Sequence, residues 1–264
     1  MRRIVRAFPT LLRIGFAEAV AYRAEFVIWM LTTTMPLVML ALWTAVAREG
    51  PFGRFTQADF VAYYLAALIV RTLSSSWVVW EMNQEIRMGT LSLRLVRPMH
   101  PFVSYTASHL AAIPLRGAVA LPIAVILLLT VGNHVASDPV VIVLLPVVVL
   151  SAWILAFVAG TAMGSLGMLM ERSIAVWEIW MGLFAVMSGY LVPLELMPRW
   201  LATAAEWLPF RYLLGFPVEA IIGMADRAAV LRGLGIQWLM IGAATLISAA
   251  VWRAGLRRFE AYGA

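Results

Sequence analysis

The sequence predicts an all-α integral membrane protein with six transmembrane helices, on three observations. Hydrophobic residues make up 63% of the 264 and charged residues only 13%, against roughly 45–50% and 25% in soluble domains. The apolar residues form long unbroken runs, several near the ~20 residues a spanning helix needs, and not the alternating ten-residue segments of a membrane barrel. Finally, the twenty basic residues, all arginine, lie between those runs and are not gathered on one face. Membrane topology therefore explains the net charge of +6 better than a nucleic-acid partner does.

Residues 1–24 read as an interfacial amphipathic helix. Ile4, Phe8, Leu11, Leu12 and Phe16 recur at helical spacing opposite Arg2, Arg6 and Arg13, as in a helix lying in the headgroup layer. A twin-arginine signal is excluded because Arg13 and Glu18 interrupt what should be an uncharged stretch. Spans follow at about 26–46, 60–80, 109–131, 140–168, 175–191 and 233–252. The fourth lies in an uncharged run from Pro139 to Met170, longer than one crossing requires, and is expected to tilt or extend. Its Gly160, Gly164 and Gly167 form a small-residue face suited to close helix packing. No linker or soluble domain intervenes, so residues 1–264 read as a single transmembrane domain.

Arginine counting sets the orientation. With the N-terminus inside, twelve arginines face the cytoplasm and six the exterior, while Arg71 and Arg116 fall within spans. Both termini are then cytoplasmic. Trp29 and Trp43 bracket the first span and Trp238 and Trp252 the last, as interfacial anchors do.

Two polar interruptions stand out. Between the second and third spans, 82–97 contains no proline, and Met82, Ile86, Met88 or Gly89, Leu93 and Val96 line one side of a short helix that Pro98 and Pro101 end. Such a helix suits either a cleft on another protein or a connector resting on lipid, and amphipathicity does not choose between them. The second interruption, 193–225, is too apolar for an ordinary loop. Pro193, Pro198, Pro209 and Pro217 break it into short helices, and Trp200, Trp207 and Tyr212 suit the headgroup level. It is expected to dip into the outer leaflet and return.

Chemistry is narrowed by what is missing. With no cysteine and no lysine, the chain can build no disulfide, thiolate metal site, Walker A loop or Schiff base. His100, His109 and His134 lack metal-ligand spacing, and there is no serine nucleophile elbow. No catalytic, cofactor or metal site is expected in this chain. Within the spans, Arg71 with Ser74 and Ser75 makes a polar stripe expected to face a cavity or a subunit interface, since an intramembrane charge is costly. Glu178 is a candidate partner for Arg71 or Arg116, and Arg116 is expected to snorkel to the inner headgroups.

Two motifs carry a family resemblance. "EIRMGTLSLRLVRP" (Glu85 to Pro98) resembles the charged-Gly-Leu-Leu-Arg-Pro loop of membrane-spanning permease subunits of ABC type-2 exporters. "GYLVPLELMPRWLATAAEWLPFRY" (Gly189 to Tyr212) is similar to that family's Pro…Pro-x-Trp…Pro-Phe-x-Tyr pattern. The resemblance implies that 82–97 is a coupling helix seated on a separate ATPase, carried onto Glu85, Arg87, Gly89, Leu91, Leu95, Arg97 and Pro98. It implies an outer exit shaped by Pro193, Pro198, Trp200, Pro209, Phe210 and Tyr212. It further implies an inner (plasma) membrane location of bacterial type, paired permeases that are identical or homologous, and ATP with Mg held by the partner ATPases. A secondary transporter or channel working without an ATPase is the alternative.

Overall fold

A computed structural model describes residues 2–22 and 34–259. Residues 26–33 of the predicted first span, with Trp29, lie outside them.

The helices follow the punctuation of the sequence. After α1 (Arg2–Ala21) comes α2 (Met35–Val46), opened by Pro36, which is tolerated in a first turn whose amide has no helical partner. The start of α3 (Gln57–Ser74) is fixed by a capping box: the Thr56 hydroxyl accepts from the Asp59 amide, and the Asp59 carboxylate accepts from the Thr56 amide. A break at Ser75–Trp77 separates it from α4 (Val78–Arg87), and α5 (Leu91–Leu95) follows a glycine turn. Pro101 opens α6 (Pro101–Ala111), which leads directly into α7 (Ile113–Val131). Next are α8 (Pro139–Ser165) and α9 (Ser173–Met187). Three short helices, α10 (Arg199–Glu206), α11 (Pro209–Leu213) and α12 (Gly215–Ile221), precede α13 (Arg227–Leu256).

Four stretches are long and apolar enough to cross a membrane: Gln57–Arg87, Pro101–His134, Pro139–Met168 and Arg227–Leu256. The sequence predicted six. Of the other two, α9 has 15 residues, about 22 Å at 1.5 Å per residue, short of a hydrocarbon core about 30 Å thick; the first predicted span, 26–46, is described only from residue 34 onward, where α2 covers its last 12 residues. The second predicted span is not one helix, since the Ser75–Trp77 break interrupts it. Nor is 82–97: Gly89, at φ +71°, divides it into the end of α4 and the single turn of α5. A left-handed residue there is easily adopted only by glycine.

α8 is the axis of the molecule, packing against α13, α4 and α3. The small-residue face predicted for it receives α4. A Cβ on Gly160 would lie 2.8 Å from the Val78 side chain and one on Gly164 2.9 Å from the Met82 sulfur, so only glycine lets these backbones come so close. On its other side Thr161 hydrogen-bonds Ser248 of α13 at 2.9 Å. Asp138 and Arg227, at the starts of α8 and α13, join through two 3.0 Å bonds. The spanning helices expose apolar side chains, among them Leu129 at 82%, Leu239 at 75% and Val143 at 73%.

Two cores form around this axis. The larger one gathers Phe60, Tyr63, Tyr64, Leu155, Phe210 and Leu214; the second, toward the predicted cytoplasmic end, gathers Val78, Met82, Leu91, Tyr105, Phe157 and Trp252. α1 lies along α6, with Phe8, Leu11 and Leu12 half-buried and Arg13 exposed.

Candidate functional site

The turn joining α4 and α5 hangs below the second core. Met82, Ile86 and Leu91 point inward and are at most 6% exposed, whereas Met88, Leu93 and Val96 are 62%, 63% and 82% exposed. The apolar face predicted as one surface is therefore two. Half of it anchors the turn to its own chain, and half forms a projecting knob flanked by the exposed Arg87 and Arg97. Leu95 is half-buried and Pro98 exposed.

A charged network holds the knob in place. Arg94 reaches back to Glu85 at 2.5 Å and Glu81 at 3.0 Å, donates to Ser104 at 2.9 Å, and lies 4.4 Å from the centroid of the Tyr105 ring. Tyr105 donates to Glu85 at 2.5 Å, and His109 meets Glu81 at 3.2 Å. Burial alone would lower the Arg94 pKa, but Tyr105 and the two carboxylates outweigh it and hold it above its ordinary value. A guanidinium with five donors in a fixed fork suits such a hub. Glu85 is thus committed within the chain. Arg87 bonds the Glu171 carbonyl at 3.4 Å, beside the turn between α8 and α9.

At the opposite end, α10 to α12 form a lid of broken helices. Pro198 caps α10, Pro209 opens α11, and Pro193 caps a 3-10 turn at Leu194–Leu196. Trp200 and Trp207 project outward at 72% and 82% exposure, while Phe210 and Tyr212 are buried. Phe210 lies 4.6 Å from Trp180, and Tyr212 donates to the Glu206 carbonyl at 3.2 Å. The segment leading into the lid carries carbonyls that aromatic side chains take up: Tyr63 donates to Gly189 O at 2.8 Å, and Tyr64 and Trp43 donate to Leu191 O at 2.8 and 3.0 Å. Behind it, Gln237 of α13 donates to the Tyr212 and Val148 carbonyls at 2.9 and 3.3 Å. These contacts cover the carbonyls of the bent backbone with protein, which the predicted dip into the membrane would require.

Between the two ends lies the Ser75–Trp77 break. The guanidinium of Arg116, fully buried, donates to the Ser75 carbonyl that the break frees. Arg116 therefore does not snorkel; it plugs an interrupted helix. Arg71, Ser74 and Ser75 line a cleft of about 290 Å³ with side chains of α4 and α9. Glu178, on α9, is exposed and joins neither arginine in an ion pair among the described residues.

The sequence model of ABC-2 family transporter proteins matches residues 28–263. The chain belongs to this family. It is an ABC permease, a transporter component that passes through the membrane more than once, and membership implies work beside ABC ATPases. No curated protein matches the chain. Sequence reasoning about the permease did not find Tyr105, Ser104 or His109 as partners of the knob, because they stand on a different helix at no fixed spacing from it. The lid carbonyls at Gly189 and Leu191 were likewise invisible, since any residue supplies a carbonyl.

Proposed function

We propose that this permease is the transmembrane subunit of an ATP-driven exporter, paired with an identical or sister permease and driven by separate ATPase subunits. The observation that carries the reading is the knob: Met88, Leu93 and Val96 project into solvent between Arg87 and Arg97, on a turn that its own chain anchors through Leu91 and Arg94. Exposed apolar side chains on a fixed, charge-rimmed projection suit insertion into a groove on a partner. In this reading the membrane is the inner (plasma) membrane, both termini are cytoplasmic, and the chain itself is not an enzyme. ATP and Mg belong to the ATPases, consistent with a sequence that has no lysine for a phosphate loop. The lid, with Pro193, Pro198, Trp200, Pro209, Phe210 and Tyr212, shapes the exit.

The test is co-purification of the partner ATPase with Met88→Asp and Val96→Asp permeases. Both sites are exposed, so thermal stability should shift by no more than about 0.5 kcal/mol, while ATPase recovery and transport-linked hydrolysis fall at least tenfold. Normal recovery from both variants would refute the docking role. A second reading, transport without an ATPase, rests on the Arg71 cleft; proteoliposomes of the permease alone that transport without ATP would establish it.

A further inference from the structure

We propose that the cleft beside Arg71 binds an anionic amphiphile, its charged group on the Arg71 guanidinium and its apolar body against a wall of tryptophans. The proposal deepens the reading of the chain as a permease by naming the class of molecule this site takes.

Arg71 lies fourteen residues into α3 from Gln57, about 21 Å along the helix axis and so beyond the midpoint of the bilayer from the outer side. A cation at that depth costs a few kcal/mol on insertion scales unless it is answered. Among the described residues no carboxylate answers it. Its guanidinium lies 5.3 Å from the centroid of the Phe184 ring and interacts with the Tyr190 hydroxyl, yet its buried Nε has no hydrogen-bond partner. The Ser76 hydroxyl, on the same cleft, is also buried and unpartnered. Two unsatisfied donors therefore line one cleft, and an anionic oxygen group bound there would supply the acceptors they lack.

Beyond Arg71, the three serines and Tyr190, the lining is apolar and aromatic. Trp80, Trp177 and Trp180 line it, and Trp80 is 53% exposed at its edge. About 290 Å³ accommodates a headgroup and the first part of a chain, near the lower end of ordinary ligand sites. Indole rings present apolar faces with one polar edge, which suits the junction between a headgroup and its chain. The helix break makes the site possible. The non-helical Ser75–Trp77 lies between Arg71 and Trp80, and Arg116 takes up the Ser75 carbonyl that it frees.

The full-length permease, in phosphatidylcholine nanodiscs without nucleotide, is labelled with dodecyl phosphate carrying a terminal diazirine, and adducts are mapped by mass spectrometry. Labelling is expected within 77–80 and 177–184, competed by dodecyl phosphate but at least tenfold less by dodecanol or inorganic phosphate. Arg71→Gln should lower it at least fivefold and Arg71→Lys should largely retain it. Ala156→Phe, which fills the cleft without touching the arginine, should lower it too and guards against a misfolded Arg71→Gln protein. Competition by phosphatidylglycerol doped into the nanodiscs identifies a bilayer lipid as the occupant; its failure to compete identifies a free amphiphile. Labelling that dodecanol competes equally, or that survives both Arg71→Gln and Ala156→Phe, overturns the site. Because no nucleotide is present, that failure would leave the ATPase-docking reading, tested by co-purification, untouched.

Discussion

The two ends of this permease are built from opposite materials. At the lid end, Tyr63, Tyr64, Trp43 and Gln237 seize backbone carbonyls of the lid and its approach, so neutral hydrogen bonds and aromatic packing hold it in place. At the inner end, Arg94 gathers Glu81 and Glu85, with Tyr105 and His109 attached, and the apolar knob is left outside. Neutral locks suit a region embedded near lipid, where unpaired charge is costly. An ionic hub suits a region at the water boundary that has to present one fixed shape to a partner. The difference fits the proposed function, in which one end shapes the exit and the other meets the ATPase.

The largest expected effect lies at the outer lock. Gly189 sits at φ +84°, and a Cβ there would collide with the Tyr63 hydroxyl. Gly189→Ala should destabilise the permease by about 3 kcal/mol, read as a lower thermal midpoint in detergent, with ATPase recovery unchanged once the protein is folded. An equal loss of ATPase binding would dissolve the division between the ends. Next, Arg94→Gln leaves two half-buried carboxylates without their cation and should cost about 2 kcal/mol. Here the ATPase should be lost along with stability, because the knob loses its anchor; unchanged recovery would mean the hub does not shape the contact.

The smallest effect is a pH dependence at the starts of α8 and α13. Hydrogen bonds from Arg227 and from the Val140 amide hold the Asp138 carboxyl below its ordinary value of 3.8. Its stabilisation is therefore complete above that value and is lost as the pH falls through the lower folded one. The gap in thermal midpoint between the wild type and Asp138→Asn should be present at pH 7 and close on acidification toward pH 3. A gap independent of pH would show that the pair acts through geometry alone.

Much of this architecture was legible because apolar run length is a strong signal. The fourth and sixth spans, the proline-broken lid and the small-residue face at Gly160 and Gly164 all follow from residue type and spacing. The Ser75–Trp77 break was not legible, because Ser74, Ser75 and Ser76 read as a polar stripe on a continuous helix, and serine does not force a break as proline does. Its cause is tertiary: Arg116, more than forty residues away in sequence, takes up the freed carbonyl. The same distance misplaced Arg116 at the headgroups. In the knob, the period of Met82, Ile86, Leu93 and Val96 was visible, but the left-handed turn at Gly89 that sends its two halves in opposite directions was not.

The meshing of α4 with α8 has a mechanical consequence. The Val78 and Met82 side chains lie directly against Gly160 and Gly164 with no room for even a Cβ, and tightly packed interiors transmit strain with little loss. Since α8 also offers Val148 to the glutamine that grips the lid, the proposed docking of an ATPase on the knob would deliver its thrust along this one helix. The far rim should feel it as displacement, with little absorbed along the way.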